Sequence, residues 1–296
     1  MKKRLQGFVA GALSMLILTG AFAFAKQAYE AISVIYNDIK IEIDGERFIA
    51  QDANGAIVEP FIYNGTTYLP VRAIAEAFDK KVAWDEQTYT VSLKSILSHD
   101  EYMKAELDSD VIVEAYVQGK QSWWDNKATV YAQDKDGGYF FYELRCSEED
   151  FEKLTIGQKI RVHGYKSEWA GQIEIVDGTF ELVEGDTYIA EPKDVTALLG
   201  TDELIRHQGE LVSFKGLTIV SIEYKNYEPG DDIYVAMTDG NEIYSFQVEF
   251  YLTDTDTDVY KKVSELKQGD VVDIEGFLYW YEGVNPHITA IAEVSQ

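Results

Sequence analysis

The last two-thirds of the chain contain an internal repeat. Three glycines of one segment recur 112 positions later in a second segment, as the pairs Gly157 and Gly269, Gly164 and Gly276, and Gly171 and Gly283. Three matches in one register indicate a single structural unit used twice. Upstream, Asp136-Gly137 pairs with Asp239-Gly240 at a spacing of 103, so the second copy carries about nine extra residues near Tyr251 to Val259.

Each copy predicts three strands, a short helix and two further strands. In the first copy the predicted strands are Val111–Val117, Ala128–Gln133, Tyr139–Arg145, Lys159–Tyr165 and Gln172–Val176, with a helix over Ser147–Leu154. This is the element order of the OB-fold, a five-stranded Greek-key barrel. The sequence therefore predicts OB-like barrels over residues 108–190 and 203–296, joined by residues 191–202.

Residues 32–93 predict a small α+β domain. Asp44-Gly45 and Asn64-Gly65 are typical of hairpin turns, and Pro70 suits the first position of a helix. The runs Tyr68-Leu-Pro-Val-Arg-Ala-Ile-Ala-Glu-Ala-Phe78 and Lys81-Val-Ala-Trp-Asp85 resemble the copper amine oxidase-like N-terminal domain, a stalk module of exported proteins from Gram-positive bacteria. The resemblance implies neither copper nor quinone, because it is to the stalk and not to the oxidase body. The expected fold class is mainly β, with this stalk-like domain followed by two barrels.

The amino terminus predicts export. Lys2-Lys3-Arg4 precedes an uncharged apolar run from Gly7 to Ala25, which ends in alternating Ala and Phe. A basic start, an apolar run and small residues are typical of a secretory signal peptide, here residues 1–25. An uncleaved membrane anchor is the alternative, and the protein would then be held at the membrane. In either case we expect a secreted or envelope-associated protein.

Charge and cysteine content exclude several functions. Residues 101–296 carry 40 acidic and 16 basic side chains, a formal charge of −24, out of −26 for the whole chain. Nucleic-acid binding is disfavoured, because it requires lysine and arginine to neutralise phosphates. The single cysteine, Cys146, excludes an internal disulfide and a cysteine-based zinc site. We expect no cofactor.

Aromatic side chains in the predicted barrel loops are the candidate ligand-binding residues. OB-folds bind ligands on strands 2 and 3 and through the loops that join strands 1–2 and 4–5. In these loops and beside them the candidates are Trp123, Trp124, Tyr165, Trp169, Phe277, Trp280 and Tyr281. Exposed aromatics can stack on sugars or anchor a protein, although strand alternation sends some of them into the core instead.

No catalytic motif is present in the sequence. Asp254, Asp256 and Asp258 have the spacing of a calcium loop, but the sixth position is Val259 instead of the glycine that such loops require, and we predict no metal site. The leading hypothesis is an exported, non-catalytic envelope protein whose barrels bind a cell-wall glycan, a peptide or an exported protein. The alternative is a secreted hydrolase that uses paired carboxylates in a barrel cleft. Two carboxylates that converge in a pocket with raised pKa values would favour the second hypothesis.

Overall fold

The computed structural model describes residues 31–52, 54–78 and 80–294, and the predicted signal peptide at 1–25 lies outside them. The chain divides between Ile74 and Ala75 into two compact units. The division falls inside the predicted 32–93 domain. Among the described residues, no helix combines the length and the apolar character needed to cross a membrane.

The residues before the division form two small hairpins. Strands β1 (Ile41–Ile43) and β2 (Glu46–Phe48) pair across Asp44-Gly45, and β3 (Phe61–Tyr63) and β4 (Thr66–Tyr68) pair across Asn64-Gly65. All four turn residues have positive φ, between 46° and 84°, as expected for tight hairpin turns. Both predicted turns are confirmed. Helix α1 (Val71–Glu76) then begins directly after Pro70.

A third hairpin and a capped helix lead into the first barrel. Strands β5 (Lys80–Asp85) and β6 (Thr90–Ser95) pair in antiparallel fashion. Helix α2 (His99–Lys104) has Ser98 at its N-cap in a capping box with Glu101, which satisfies backbone N–H groups of its first turn.

The first barrel is closed and has the predicted element order. Its elements are β7 (Asp110–Lys120), β8 (Lys127–Gln133), β9 (Gly138–Arg145), α3 (Glu148–Lys153), β10 (Lys159–Trp169) and β11 (Gln172–Leu182). The strands close in the order β10-β11-β9-β8-β7, and β10 pairs back onto β7. The β11–β9 contact is parallel and every other pairing is antiparallel. The core is apolar, with Val113, Phe141 and Ile160 fully buried.

The second copy repeats this element order and strand pairing. Its elements are β13 (Leu211–Tyr224), β14 (Ile233–Thr238), β15 (Ile243–Val248), α4 (Asp258–Glu265), β16 (Val271–Phe277) and β17 (His287–Glu293), preceded by the short strand β12 (Lys193–Asp194). Strand β13 pairs with both β14 and β16, and β15 meets β17 in parallel, as β9 meets β11. The extra residues of this copy lie at 249–257, between β15 and α4, where the first barrel has only residues 146–147.

The repeated glycines occupy equivalent places in the two copies. The Gly157 N–H donates to the Val117 carbonyl at 2.8 Å, and the Gly269 N–H donates to the Ile219 carbonyl at 2.9 Å. Both glycines have positive φ, 85° and 94°. The structure therefore confirms the predicted repeat at the level of individual hydrogen bonds.

Candidate functional site

The two barrels pack together through a small aromatic cluster. Tyr131 of β8 stacks on Phe277 of β16, with ring centroids 4.5 Å apart and planes inclined by 14°. Both side chains are at most 3% exposed. Phe140 of β9 completes the buried cluster. The outward face of strands 2 and 3 in the first barrel is thus partly covered by the second barrel.

Polar contacts add to this interface on both sides of the cluster. The Gln133 side chain accepts from the Leu211 N–H at 2.8 Å, and the Gln172 side chain accepts from the Trp280 N–H at 3.0 Å. The Ser122 N–H donates to the Tyr251 carbonyl at 2.7 Å. These bonds to backbone atoms fix the position of one barrel relative to the other.

A cleft of about 670 Å³ opens beside the cluster, and we call it the inter-barrel cleft. The first barrel contributes residues of β8, β9 and the loops next to them, and the second contributes residues of β14, β15 and the segments around them. Its lining consists of Gln121, Ser122, Trp124, Lys127, Thr129, Phe140, Tyr142, Glu143, Trp169, Tyr234, Ser245, Gln247, Glu249, Tyr251, Tyr279, Tyr281, Asn285 and His287. Its volume lies within the range usual for small-molecule sites.

Three predicted binding residues form the rim of this cleft. Trp124 is 70% exposed, Trp169 is 62% exposed and Tyr281 is 52% exposed, and all three line the cleft. Trp124 lies in the loop between β7 and β8, Trp169 ends β10, and Tyr281 lies between β16 and β17. These are the 1–2 loop of the first barrel and the 4–5 connection of each barrel. Large aromatic surface exposed at a concave site is typical of ligand binding.

The other four predicted residues do not line the cleft. The Trp123 indole N–H donates to the Cys146 carbonyl at 3.0 Å, and the ring packs on the core of the first barrel. Tyr165 is 47% exposed but lies away from the lining. The prediction for Phe277 needs correction, because its ring is buried against Tyr131. Trp280 packs on the core of the second barrel.

A polar floor also lines the cleft, and no sequence motif marks it. We define the floor as Gln247, Glu249, Asn285 and His287, all of which line the cleft. The Asn285 side-chain amide donates to Gln247 Oε1 at 3.4 Å, and Gln247 Nε2 donates to Glu249 Oε2 at 2.6 Å. Burial, reinforced by the negative charge of Asp232, raises the pKa of Glu249 to about 7.

His287 is the most deeply buried member of the floor, at 3% exposed. Its Nδ1 is 2.6 Å from the Tyr131 hydroxyl, and its ring stacks on Tyr279 with centroids 4.3 Å apart. Burial lowers the pKa of His287 to about 3, so the imidazole is neutral at physiological pH. Among the described residues, its Nε2 and the Asn285 Oδ1 have no hydrogen-bond partner.

A second cleft of about 590 Å³ shares several lining residues with the first, among them Tyr142, Trp169 and Tyr279. Glu174 of β11 lies in this second cleft and is 6% exposed. Burial alone raises the pKa of Glu174 to about 7. The sequence reasoning did not single out Glu174 or Glu249, because neither residue belongs to a recognisable motif.

Lys127 supplies a positive charge shared by both clefts. Its ammonium pairs with the Glu143 carboxylate at 2.6 Å, and the hydrogen bond that it donates to Glu143 raises the pKa of Lys127. The pair is partly exposed and leaves little net charge at that position.

The loop that follows β15 forms a turn and leads into helix α4. Asp254 Oδ1 accepts from the Asp256 N–H at 3.0 Å, and Asp258 begins helix α4 after the N-cap Thr257. Within the part of the chain that the structure describes, no three His, Cys, Asp or Glu side chains are grouped so as to hold a metal ion. Asp254 thus stabilises a turn in this loop, and Asp258 begins a helix.

Comparisons with known proteins support part of this description. The model of the copper amine oxidase N-terminal domain matches residues 37–135, which include the predicted motif and extend into β8. No curated protein matches the chain.

Solved structures match with low similarity. Asparaginyl-tRNA synthetase from Pyrococcus horikoshii is 17% identical over 30% of this chain and 20% of its own, with a TM-score of 0.25. A putative aspartyl-tRNA synthetase from Leishmania major Friedlin is 13% identical over 38% of this chain and 22% of its own, with a TM-score of 0.27. A murine DNA binding protein bound with double-stranded DNA is 10% identical over 62% of this chain and 97% of its own, with a TM-score of 0.32. The chain thus spans about a fifth of the length of the synthetases. Residues 37–135 are similar to the copper amine oxidase N-terminal domain, as the sequence motif predicts.

Proposed function

We propose that the protein is an exported, non-catalytic binding protein of the cell envelope that takes a neutral glycan in the inter-barrel cleft. The observation that carries the proposal is the rim, where Trp124, Trp169 and Tyr281 from three separate chain segments expose their rings around one concavity. Residues 1–25 would direct export, and the stalk-like domain would act as a spacer.

Aromatic faces and polar groups together suit a sugar better than a purely apolar ligand. A sugar ring offers C–H groups on its faces, which pack on aromatic rings, and hydroxyl groups on its edge. The rim supplies the rings, and the floor supplies amide, imidazole and carboxyl groups for hydrogen bonds. A cleft of about 670 Å³ has room for a short stretch of such a polymer.

Charge argues for a neutral ligand. Residues 101–296 carry a formal charge of −24, which repels polyanions such as nucleic acids. In the cleft itself, Lys127 pairs with Glu143, and Glu249 has a pKa of about 7. At pH 7 Glu249 is about half ionised and Lys127 is paired with Glu143, so the described lining of the cleft carries no excess positive charge for an anion.

The experiment is a pull-down of the purified protein on cell-wall glycan, compared with a W124A/W169A double variant. We expect retention of the wild type and loss of retention in the double variant, because the rim rings are removed. Trp84→Ala is the matched control, since Trp84 is 53% exposed on β5 and does not line the cleft. Equal retention of all three proteins would contradict the assignment of the rim.

A secreted glycoside hydrolase is the second candidate, and one observation favours it. Glu174 and Glu249 line neighbouring clefts, and burial raises the pKa of each to about 7. A protonated carboxyl beside a sugar can act as a general acid, and a second carboxylate can activate water. Release of reducing ends from purified wall glycan, abolished in both Glu174→Gln and Glu249→Gln, would establish hydrolysis. Binding without release would leave the non-catalytic proposal.

A further inference from the structure

The second cleft, of about 590 Å³, directly adjoins the inter-barrel cleft. The side chains that line both are Lys127, Tyr142, Glu143, Trp169 and Tyr279. Two of them present large rings at this border, because Trp169 is 62% exposed and Tyr142 is 43% exposed. An extended ligand can therefore pass from one cleft to the other across exposed aromatic rings.

Strand alternation places one wall of the second cleft on the outer face of the first barrel. Ile175 of β11 is fully buried in the barrel core, so its neighbours Glu174 and Val176 point outward. Both of these neighbours line the second cleft. Ile175 is opposite Phe141 of β9, which is also fully buried. The next residue of β9, Tyr142, therefore points outward on the same side as Glu174 and Val176.

Glu174 brings an unpaired carboxyl group to this wall. Its side chain is 6% exposed, and within residues 31–52, 54–78 and 80–294 its carboxyl has no hydrogen-bond partner and no ion pair. In the same residues, the fully enclosed side-chain atoms that lack a partner belong to Tyr102, Asn285 and His287. The Glu174 oxygens are not among these enclosed atoms, so they retain accessible surface that a ligand can reach.

Tyr279 offers a second unpaired group where the two clefts meet. Its ring is held against His287, with centroids 4.3 Å apart. Its hydroxyl has no hydrogen-bond partner in the described part of the chain, and it too is absent from the fully enclosed atoms. Burial raises the pKa of Tyr279, and the charges of Glu174 and Glu249 raise it further. The hydroxyl therefore keeps its proton and can donate it to a ligand.

The charges in the second cleft nearly balance. Two basic side chains, Lys127 and Arg145, and three acidic ones, Glu143, Glu174 and Asp177, line it. Lys127 is paired with Glu143, and the Arg145 guanidinium donates to the Asp177 carbonyl at 3.2 Å. This lining suits hydroxyl groups, which donate and accept hydrogen bonds without a charge of their own.

We propose that the second cleft is a further sugar subsite, so that the protein binds several consecutive sugars of a linear glycan along both clefts. In this subsite Glu174 pairs with sugar hydroxyls, Tyr279 donates to a sugar oxygen, and Trp169 packs on the sugar between the clefts. The inference rests on the proposed function, because it takes the inter-barrel cleft as a glycan site. It adds a dependence on length, since a short fragment fills one cleft and a longer fragment fills both.

The test is calorimetry on the full protein with fragments of purified cell-wall glycan that contain two, four and six sugars. We expect the affinity to rise at least tenfold from two sugars to six, because only the longer fragments reach the second cleft. Val176→Trp fills the second cleft and should remove this rise, since Val176 does not line the inter-barrel cleft. Ser245→Trp is the matched control, because Ser245 lines the inter-barrel cleft and not the second one, and it should weaken binding at every length.

A second variant keeps the test independent of the folding of the first. Glu174→Leu removes both carboxyl oxygens at similar size, and it should weaken binding of the six-sugar fragment about tenfold. A rise lost in Val176→Trp but kept in Glu174→Leu would overturn the role of Glu174 and support the subsite.

Two results would overturn the second subsite and leave the proposed function intact. One is equal affinity of the wild type for two and six sugars, and the other is a rise that persists in both Val176→Trp and Glu174→Leu. Absence of binding by the wild type at every length would overturn the proposed function as well.

Discussion

The Tyr131 hydroxyl of the first barrel lies 2.6 Å from Nδ1 of His287 in the second barrel. The two groups form a direct hydrogen bond between buried side chains of the two copies. The same tyrosine stacks on Phe277 and accepts from Gln121. One residue therefore provides an aromatic and a polar contact across the interface.

Tyr131→Phe should destabilise the protein by about 1–3 kcal/mol, because the ring remains while the buried His287 Nδ1 and the half-buried Gln121 amide lose their partner. Chemical denaturation measures this change. A double-mutant cycle with His287→Phe should give a coupling energy of about 0.5–3 kcal/mol. Tyr227→Phe, at a side chain that is 96% exposed, should have no effect. A coupling energy near zero would mean that the 2.6 Å contact contributes nothing to stability.

Local sequence patterns predicted the barrels because each element has its own signal. The alternating strands, the helix predicted over Ser147–Leu154 and the repeated glycines lie within short segments, and the structure confirms these elements. The interface has no such signal, since Tyr131 and His287 are 156 residues apart. Their partnership depends on how two closed barrels pack.

The candidate site was predicted only in its exposed part. Trp124 and Tyr281 lie in connections between strands and Trp169 ends β10, as the sequence pattern placed them. Trp123 and Trp280 are their neighbours in sequence but pack on the barrel cores, so packing decides which of these rings is exposed. Phe277 ends a strand, and its neighbours in space decide its environment; here Tyr131 covers it. The floor residues are ordinary polar side chains on strands and loops, and only packing shifts the pKa values of Glu249 and His287.

Gly276→Ala should destabilise the second barrel by about 2–4 kcal/mol. A Cβ at this position would lie 2.3 Å from the His287 carbonyl oxygen, and backbone cannot move away as a flexible side chain can. Gly164→Ala, at the equivalent place in the first barrel, should act in the same direction, since its Cβ would lie 2.8 Å from the Val176 carbonyl. Thermal unfolding of each variant measures the cost.

Gly269→Ala is the control for the close approach, because nothing lies within 4 Å of its Cβ. Its φ of 94° still disfavours alanine, at a cost of about 1–2 kcal/mol. If Gly276→Ala loses no more stability than Gly269→Ala, the argument from crowding is contradicted.

Glu174→Gln should stabilise the protein at pH 8 and leave its stability unchanged at pH 4. The folded-state pKa of Glu174, about 7, lies above its ordinary value of 4.5, so the native state retains a proton that the unfolded state has released. The effect of the raised Glu174 pKa on stability is absent below pH 4.5, and it becomes increasingly destabilising as the pH rises to 7. Removing the charge should restore up to about 3 kcal/mol above pH 7. Glu148→Gln on the exposed face of α3 is the control, and a gain of equal size there would point to net charge instead of burial.

His287 should produce the opposite dependence on pH. Its folded-state pKa of about 3 lies below the ordinary value of 6.5 because burial disfavours the imidazolium. As the pH falls from 6.5 to 3, the unfolded state takes up a proton that the native state refuses, and stability is lost by up to about 5 kcal/mol. His287→Gln cannot titrate but still offers Tyr131 an acceptor, so its stability should fall less between pH 7 and pH 4 than that of the wild type. Denaturation midpoints at pH 4, 5, 6 and 7 measure the difference. Parallel pH curves for wild type and His287→Gln would show that His287 is not held neutral by the fold.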